Sequence, residues 1–97
     1  MRLNESDIII IKKSILNYIS DAKIMLFGSR VDDSKKGGDI DIYVETNQSL
    51  PLITKLKILT DIEMGGVLRR VDLVIKSKDS KHQPIFDTIK KEGILLW

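Results

Sequence analysis

The sequence predicts a small α/β (α+β) domain in which helices flank a mixed sheet, and three observations carry that prediction. Apolar residues alternate between helical and strand periodicity along the chain. The periodic segments are short, and glycine or proline separates several of them. Their order is helix, strand, strand, helix, strand, helix, which one layered domain accommodates.

The first helix is predicted over Glu5 to Ser20. Ile8, Ile11, Ile15 and Ile19 recur there at helical spacing, Lys12, Lys13 and Asn17 lie off that stripe, and Asn4 or Ser6 serves as a cap. Lys23 to Phe27 holds the continuous apolar run Ile24, Met25, Leu26 and Phe27, ended by Gly28, the pattern of a strand buried on both faces. A polar connection follows through Gly37 and Gly38. From Asp39 to Glu45 the alternation is clean, with Ile40, Ile42 and Val44 on one side and Asp39, Asp41, Tyr43 and Glu45 on the other. That pattern predicts a half-buried strand with an acidic face. Leu52, Ile53, Leu56, Leu59 and Ile62 then repeat at helical spacing between Pro51 and the Gly65-Gly66 stop. Val71, Leu73 and Ile75 alternate with Arg70, Asp72, Val74 and Lys76 in a third strand. A last helix runs from Pro84 to Gly93 with Ile85, Phe86 and Ile89 inward, and the apolar tail Ile94 to Trp97 closes the core or forms part of an interface.

At 97 residues, with no internal repeat or linker, the chain is expected to form a single domain, residues 1–97. A domain of this size buries roughly 65% of its unfolded surface, and the 42% hydrophobic content is enough to supply the core. Sixteen Lys and Arg against fourteen Asp and Glu leave a net charge of +2, so nucleic acid is not indicated as a partner. The absence of cysteine excludes disulfide frameworks, thiolate metal sites and thiol catalysis. The N-terminal apolar run Ile8 to Ile11 is too short for a signal-peptide core or a membrane span. The expected location is therefore the cytoplasm.

The chemistry concentrates in three acids. Asp39 and Asp41 are two apart on a predicted strand, so their carboxylates leave the same face about 7 Å apart along the backbone. Two such charges repel each other unless a cation lies between them. With only oxygen ligands available in number, the ion favoured is Mg²⁺ or Mn²⁺. Asp72 projects from the polar face of another strand; if the two strands pair, three carboxylates converge, enough for two ions. Just upstream, Gly28 ends a buried strand and lets a phosphate approach the backbone, while Ser29 offers a hydroxyl and an amide. A short helix opening at Ser29 or Arg30 would point free N–H groups at the same anion. Nine residues lie between Ser29 and Asp39, within reach of one site.

At these residues the chain resembles a known family. Leu26-Phe27-Gly28-Ser29-Arg30 followed by Gly38-Asp39-Ile40-Asp41-Ile42 is similar to the signature of the DNA polymerase β nucleotidyltransferase superfamily, which is Gly-Ser, a gap, then Asp-x-Asp. Arg70-Val71-Asp72-Leu73-Val74 resembles the strand that carries that family's third acid. Size and element order resemble the minimal nucleotidyltransferases paired with HEPN-type helical proteins in toxin–antitoxin modules. The resemblance implies a polymerase-β-like core. It also implies an activity, transfer of a nucleoside monophosphate, first of all AMP from ATP, to a hydroxyl, with a tyrosine of the HEPN partner as the leading acceptor. On the same grounds Asp39, Asp41 and Asp72 hold Mg²⁺ or Mn²⁺, two ions together, and Asp72 helps deprotonate the acceptor. Gly28, Ser29 and Arg30 contact the nucleoside triphosphate. Gly38 and Asp33 stand where the family often has serine and glycine; neither change removes a metal ligand.

Plainer readings stand beside these. Asp72 next to Arg69 and Arg70 also reads as an ordinary surface ion pair. Ser29 reads equally as a helix cap, and Arg30 as a structural ion-pair partner. Lys35 and Lys36 read as solvated loop residues, and His82 as a surface residue. The alternatives to transfer onto a partner protein are a non-catalytic binding antitoxin or complex subunit and an aminoglycoside-type transferase, the last usually needing walls from a second domain. Self-association through the apolar C-terminal edge also remains open. A chain this short predicts an open site whose missing wall comes from another chain.

Overall fold

The computed structural model of the chain describes residues 5–28 and 39–97. Within them α1 (Glu5–Leu16) leads to β1 (Lys23–Phe27), β2 (Ile40–Glu45), α2 (Leu52–Met64), β3 (Val71–Lys76), α3 (Pro84–Glu92) and β4 (Ile94–Leu95). Among the described residues the strands form one sheet in the order β3-β2-β1-β4. β1 is antiparallel to β2 and to β4, whereas β2 and β3 are parallel, so the sheet is mixed as expected. Parallel neighbours need a crossover rather than a tight turn, and α2 supplies it.

The alternation in β2 decides which face is the core. Ile40, Ile42 and Val44 are fully buried on one face with Ile24, Leu26 and Leu73. Ile11, Ile15 and Ile19 from α1 and the turn after it pack in the same cluster with Ile58 and Ile62 from α2. Each fully buried isoleucine stabilises the fold by about 1.5–3 kcal/mol relative to exposure, which makes this layer the main favourable contribution. Asp21 ties the α1–β1 turn to the end of β2: its carboxylate accepts from the Thr46 hydroxyl at 2.5 Å and from the Asn47 N–H at 2.9 Å.

The opposite face, expected to be the acidic one, is itself partly covered. Tyr43 shares the face of Asp41 and Glu45 as predicted, yet it is 0% exposed. α3 lays Phe86 and Ile89 over Met25 and Tyr43, with the Tyr43 and Phe86 ring centroids 5.9 Å apart. A phenol tolerates this burial because its hydroxyl has a partner, the Glu45 carboxylate at 2.8 Å, which Lys90 of α3 also contacts at 3.0 Å.

Four further expectations change. α1 ends at Leu16 instead of Ser20, but Ile19 still reaches the core because Tyr18 and Ile19 both donate their N–H groups to the Ile15 carbonyl in a closing turn. On α2 the buried residues are Thr54, Ile58 and Ile62, while Leu52, Ile53 and Leu56 of the predicted stripe are exposed, Leu52 by 85%. The helix carries apolar residues around more than one face, and only the face bearing Ile58 and Ile62 meets the sheet. Ile85 is exposed, because α3 touches the sheet through Phe86 and Ile89. The apolar tail becomes an edge strand: Ile94 and Leu95 pair with Leu26 and Met25, Leu96 packs on the core, and Ile94, Leu95 and Trp97 stay exposed.

Candidate active site

The register of β2 and β3 decides where the acids stand. Asp41 and Asp72 are Cα partners across the parallel pair, on strands that lie about 4.8 Å apart. Partner residues on adjacent strands project to the same face, so these two carboxylates rise side by side. Asp39 immediately precedes β2, is exposed, and shares the parity of Asp41. The backbone therefore brings all three acid positions to one corner of the sheet, where β2 and β3 begin and β1 ends.

Gly28 closes that corner from the β1 side. It has a φ of +71°, which L side chains rarely adopt, and a Cβ placed there would lie 3.0 Å from the Asp41 Cγ and closer still to its carboxylate oxygen. The missing side chain is what lets the chain pass over Asp41. The other predicted phosphate-binding residues, Ser29 and Arg30, lie outside the described residues, as do the short helix expected there, Asn4, Asp33, Lys35, Lys36, Gly37 and Gly38.

The side chains at the corner are engaged. Arg70 Nε contacts Asp72 Oδ1 at 3.4 Å, with the two side chains 76% and 42% exposed. This is the surface ion pair named as the plainer reading of Asp72. Asp39 and Asp41 have interactions of their own. Among the described residues no three His, Cys, Asp or Glu side chains gather closely enough to hold a metal ion. Backbone and side chains thus make separate statements: the positions converge, while Asp72 is turned to a guanidinium. The donor set still suits a hard divalent ion, since it is all carboxylate oxygen and one member already attracts a cation.

Two features were not foreseen from the sequence. A cleft of about 590 Å³ opens beside Arg70 and Val71, walled by Leu59 and Ile62 of α2 and by Val67 and Leu68 after the Gly65-Gly66 turn. At the other end of the acid-bearing face, Tyr43, Glu45 and Lys90 form a chain of contacts. Burial and the neighbouring Glu45 raise the Tyr43 phenol far above its ordinary range. Burial also pushes Glu45 up, but the Tyr43 hydrogen bond and Lys90 prevail and hold it below the usual carboxylate value. The parity shared by Asp41, Tyr43 and Glu45 was visible in the sequence; the helix that covers the last two was not assigned to that face.

Comparison with known proteins bears on the family and the fold. A family model described as polymerase beta, nucleotidyltransferase matches residues 10–97. A crystal structure of a toxin-antitoxin with AMP-PNP superposes with a TM-score of 0.73 at 28% identity, over 98% of this chain and 73% of that one. A crystal structure of the toxin-antitoxin MntA-HepT superposes with a TM-score of 0.71 at 23% identity, over 97% of this chain and 72% of that one. No curated protein sequence matches the chain.

Proposed function

The chain belongs to the polymerase β nucleotidyltransferase family, and from that premise we propose that it transfers a nucleoside monophosphate, AMP from ATP, to a tyrosine hydroxyl of a HEPN-type partner, acting as the antitoxin of the pair. In this reading residues 1–97 act as one catalytic unit in the cytoplasm. Among the described residues no helix is long and apolar enough to cross a membrane. The observation that carries the reading is the Asp41–Asp72 register with Gly28 closing over Asp41. The solved toxin-antitoxin with AMP-PNP supports the choice of nucleotide and of a toxin–antitoxin pairing.

Asp39, Asp41 and Asp72 would hold Mg²⁺ or Mn²⁺. Such ions supply the charge stabilisation that in-line displacement at an α-phosphate requires. The chain's own residues bind and orient. Gly28 leaves its backbone open to a phosphate, and Ser29 and Arg30 follow it to hold the triphosphate tail. Asp72 would help deprotonate the acceptor hydroxyl. The acceptor oxygen then bonds to the α-phosphorus, the bond to the bridging oxygen breaks, and pyrophosphate leaves.

The test is incubation with Mg²⁺, α-labelled ATP and the protein encoded by the neighbouring gene. Label on a tyrosine of that protein, lost with Asp41→Ala, is the expected result; label that is absent, or unaffected by Asp41→Ala, overturns it. A second reading, a binding antitoxin without chemistry, is favoured by the Arg70 contact that holds Asp72. An Asp39→Ala/Asp41→Ala double variant separates the two, because full inhibition of the partner by that variant supports binding alone.

A further inference from the structure

We propose that Arg70 is a built-in counter-cation for Asp72, which a divalent ion must displace before the three acids can act as one ligand set. The proposal rests on the metal-binding role assigned above to Asp39, Asp41 and Asp72. It concerns what those residues do before an ion arrives.

Residues two apart in extended chain project to the same face. Arg70 directly precedes β3 and Asp72 is its second residue, so the guanidinium reaches the corner where Asp41 and Asp72 stand in register. The backbone beneath is fixed, because the Ile40 N–H donates to the Arg70 carbonyl at 2.8 Å and joins the starts of β2 and β3. Competition between guanidinium and metal is therefore settled by side-chain rotation alone.

The contact is also suited to being displaced. A single nitrogen meets a single oxygen at 3.4 Å, and both side chains are well exposed. Exposed pairs of this kind are weak, whereas a divalent ion brings twice the charge and engages several carboxylates together. Room for the released side chain exists in the adjoining cleft of about 590 Å³, which Arg70 already lines.

The experiment is a Mn²⁺ titration of the nucleotide-free protein, by calorimetry or by electron paramagnetic resonance, with no turnover involved. Arg70→Gln is expected to tighten Mn²⁺ binding about two- to fivefold, the weight of an exposed ion pair. Lys76→Gln is the charge-matched control. Lys76 lies on the same face of β3 four residues beyond Asp72, about 13 Å by strand rise and past the roughly 8 Å Debye length at physiological salt. It should leave the affinity unchanged. Unchanged or weaker binding by Arg70→Gln, or equal tightening by Lys76→Gln, overturns the proposal. If neither wild type nor Arg70→Gln binds Mn²⁺, the metal reading itself fails and the proposal falls with it. Circular dichroism and melting temperature verify that each variant is folded.

Discussion

Gly28 and Asp41 approach so closely, where β1 ends and β2 begins, that a methyl group on Gly28 would run into the Asp41 carboxylate. The same glycine has a φ of +71°. Gly28→Ala is therefore expected to destabilise the protein by about 1–2 kcal/mol from backbone strain, with a further cost because Asp41 must move. Urea unfolding measures the first effect. Mn²⁺ titration reads the second as weakened binding. A stability equal to wild type, with unchanged Mn²⁺ affinity, would show that the corner is looser than this contact implies.

Tyr43→Phe preserves the packing under α3 and removes only the hydroxyl that donates to Glu45. The expected loss is about 1 kcal/mol, the usual net value of one hydrogen bond. Lys90 still contacts Glu45, so the loss should not grow to that of an orphaned buried charge. Paired chemical denaturation curves for wild type and variant test this.

The hydrogen bond from Thr46, followed by that from the Asn47 N–H, lowers the Asp21 pKa below its ordinary value of 3.8. A depressed folded-state pKa means that the native state favours the ionised form, so this contribution to stability is fully present above about pH 4 and is lost as pH falls through the folded value. Asp21→Asn should therefore lower the melting temperature at pH 7, and the gap from wild type should close as pH falls through the lowered folded-state pKa. A gap that persists unchanged into strong acid would contradict the assignment.

Leu52 and Ile58 belong to the same predicted helix, yet only Ile58 is buried. Leu52→Ala is expected to change stability by no more than about 0.5 kcal/mol, while Ile58→Ala should cost about 2–5 kcal/mol through the cavity it leaves. Thermal or urea denaturation of the two variants compares them directly.

Elements with one clear period, or with a short apolar run ended by glycine, were legible from the sequence. The run Ile24 to Phe27 became β1, and the alternations Ile40/Ile42/Val44 and Val71/Leu73/Ile75 became β2 and β3. Side-chain parity in a strand is fixed by backbone geometry, so which β2 residues share a face could be read locally. Where apolar residues exceeded the available core, periodicity lost its power. Leu52, Ile53 and Leu56 are as apolar as Ile58 and Ile62, and nothing local distinguishes the stripe that meets the sheet from the one that meets water. The strand β4 was illegible for a related reason: two residues, Ile94 and Leu95, show no period, and they become a strand only by pairing with β1.

The candidate site divides along the same line. By itself the sequence determined the chemical inventory of the site: three aspartates, a glycine that ends a buried strand, and no cysteine anywhere in the chain. The common face of Asp39 and Asp41 followed from their spacing. Whether Asp72 would join them was decided only by tertiary structure, because a partner thirty-one residues along the chain depends on strand order and register. Tertiary structure also decided that α3 covers Tyr43 and that a guanidinium rests on Asp72. Local patterns set the direction in which a side chain leaves its strand; only the packed sheet sets what it meets there.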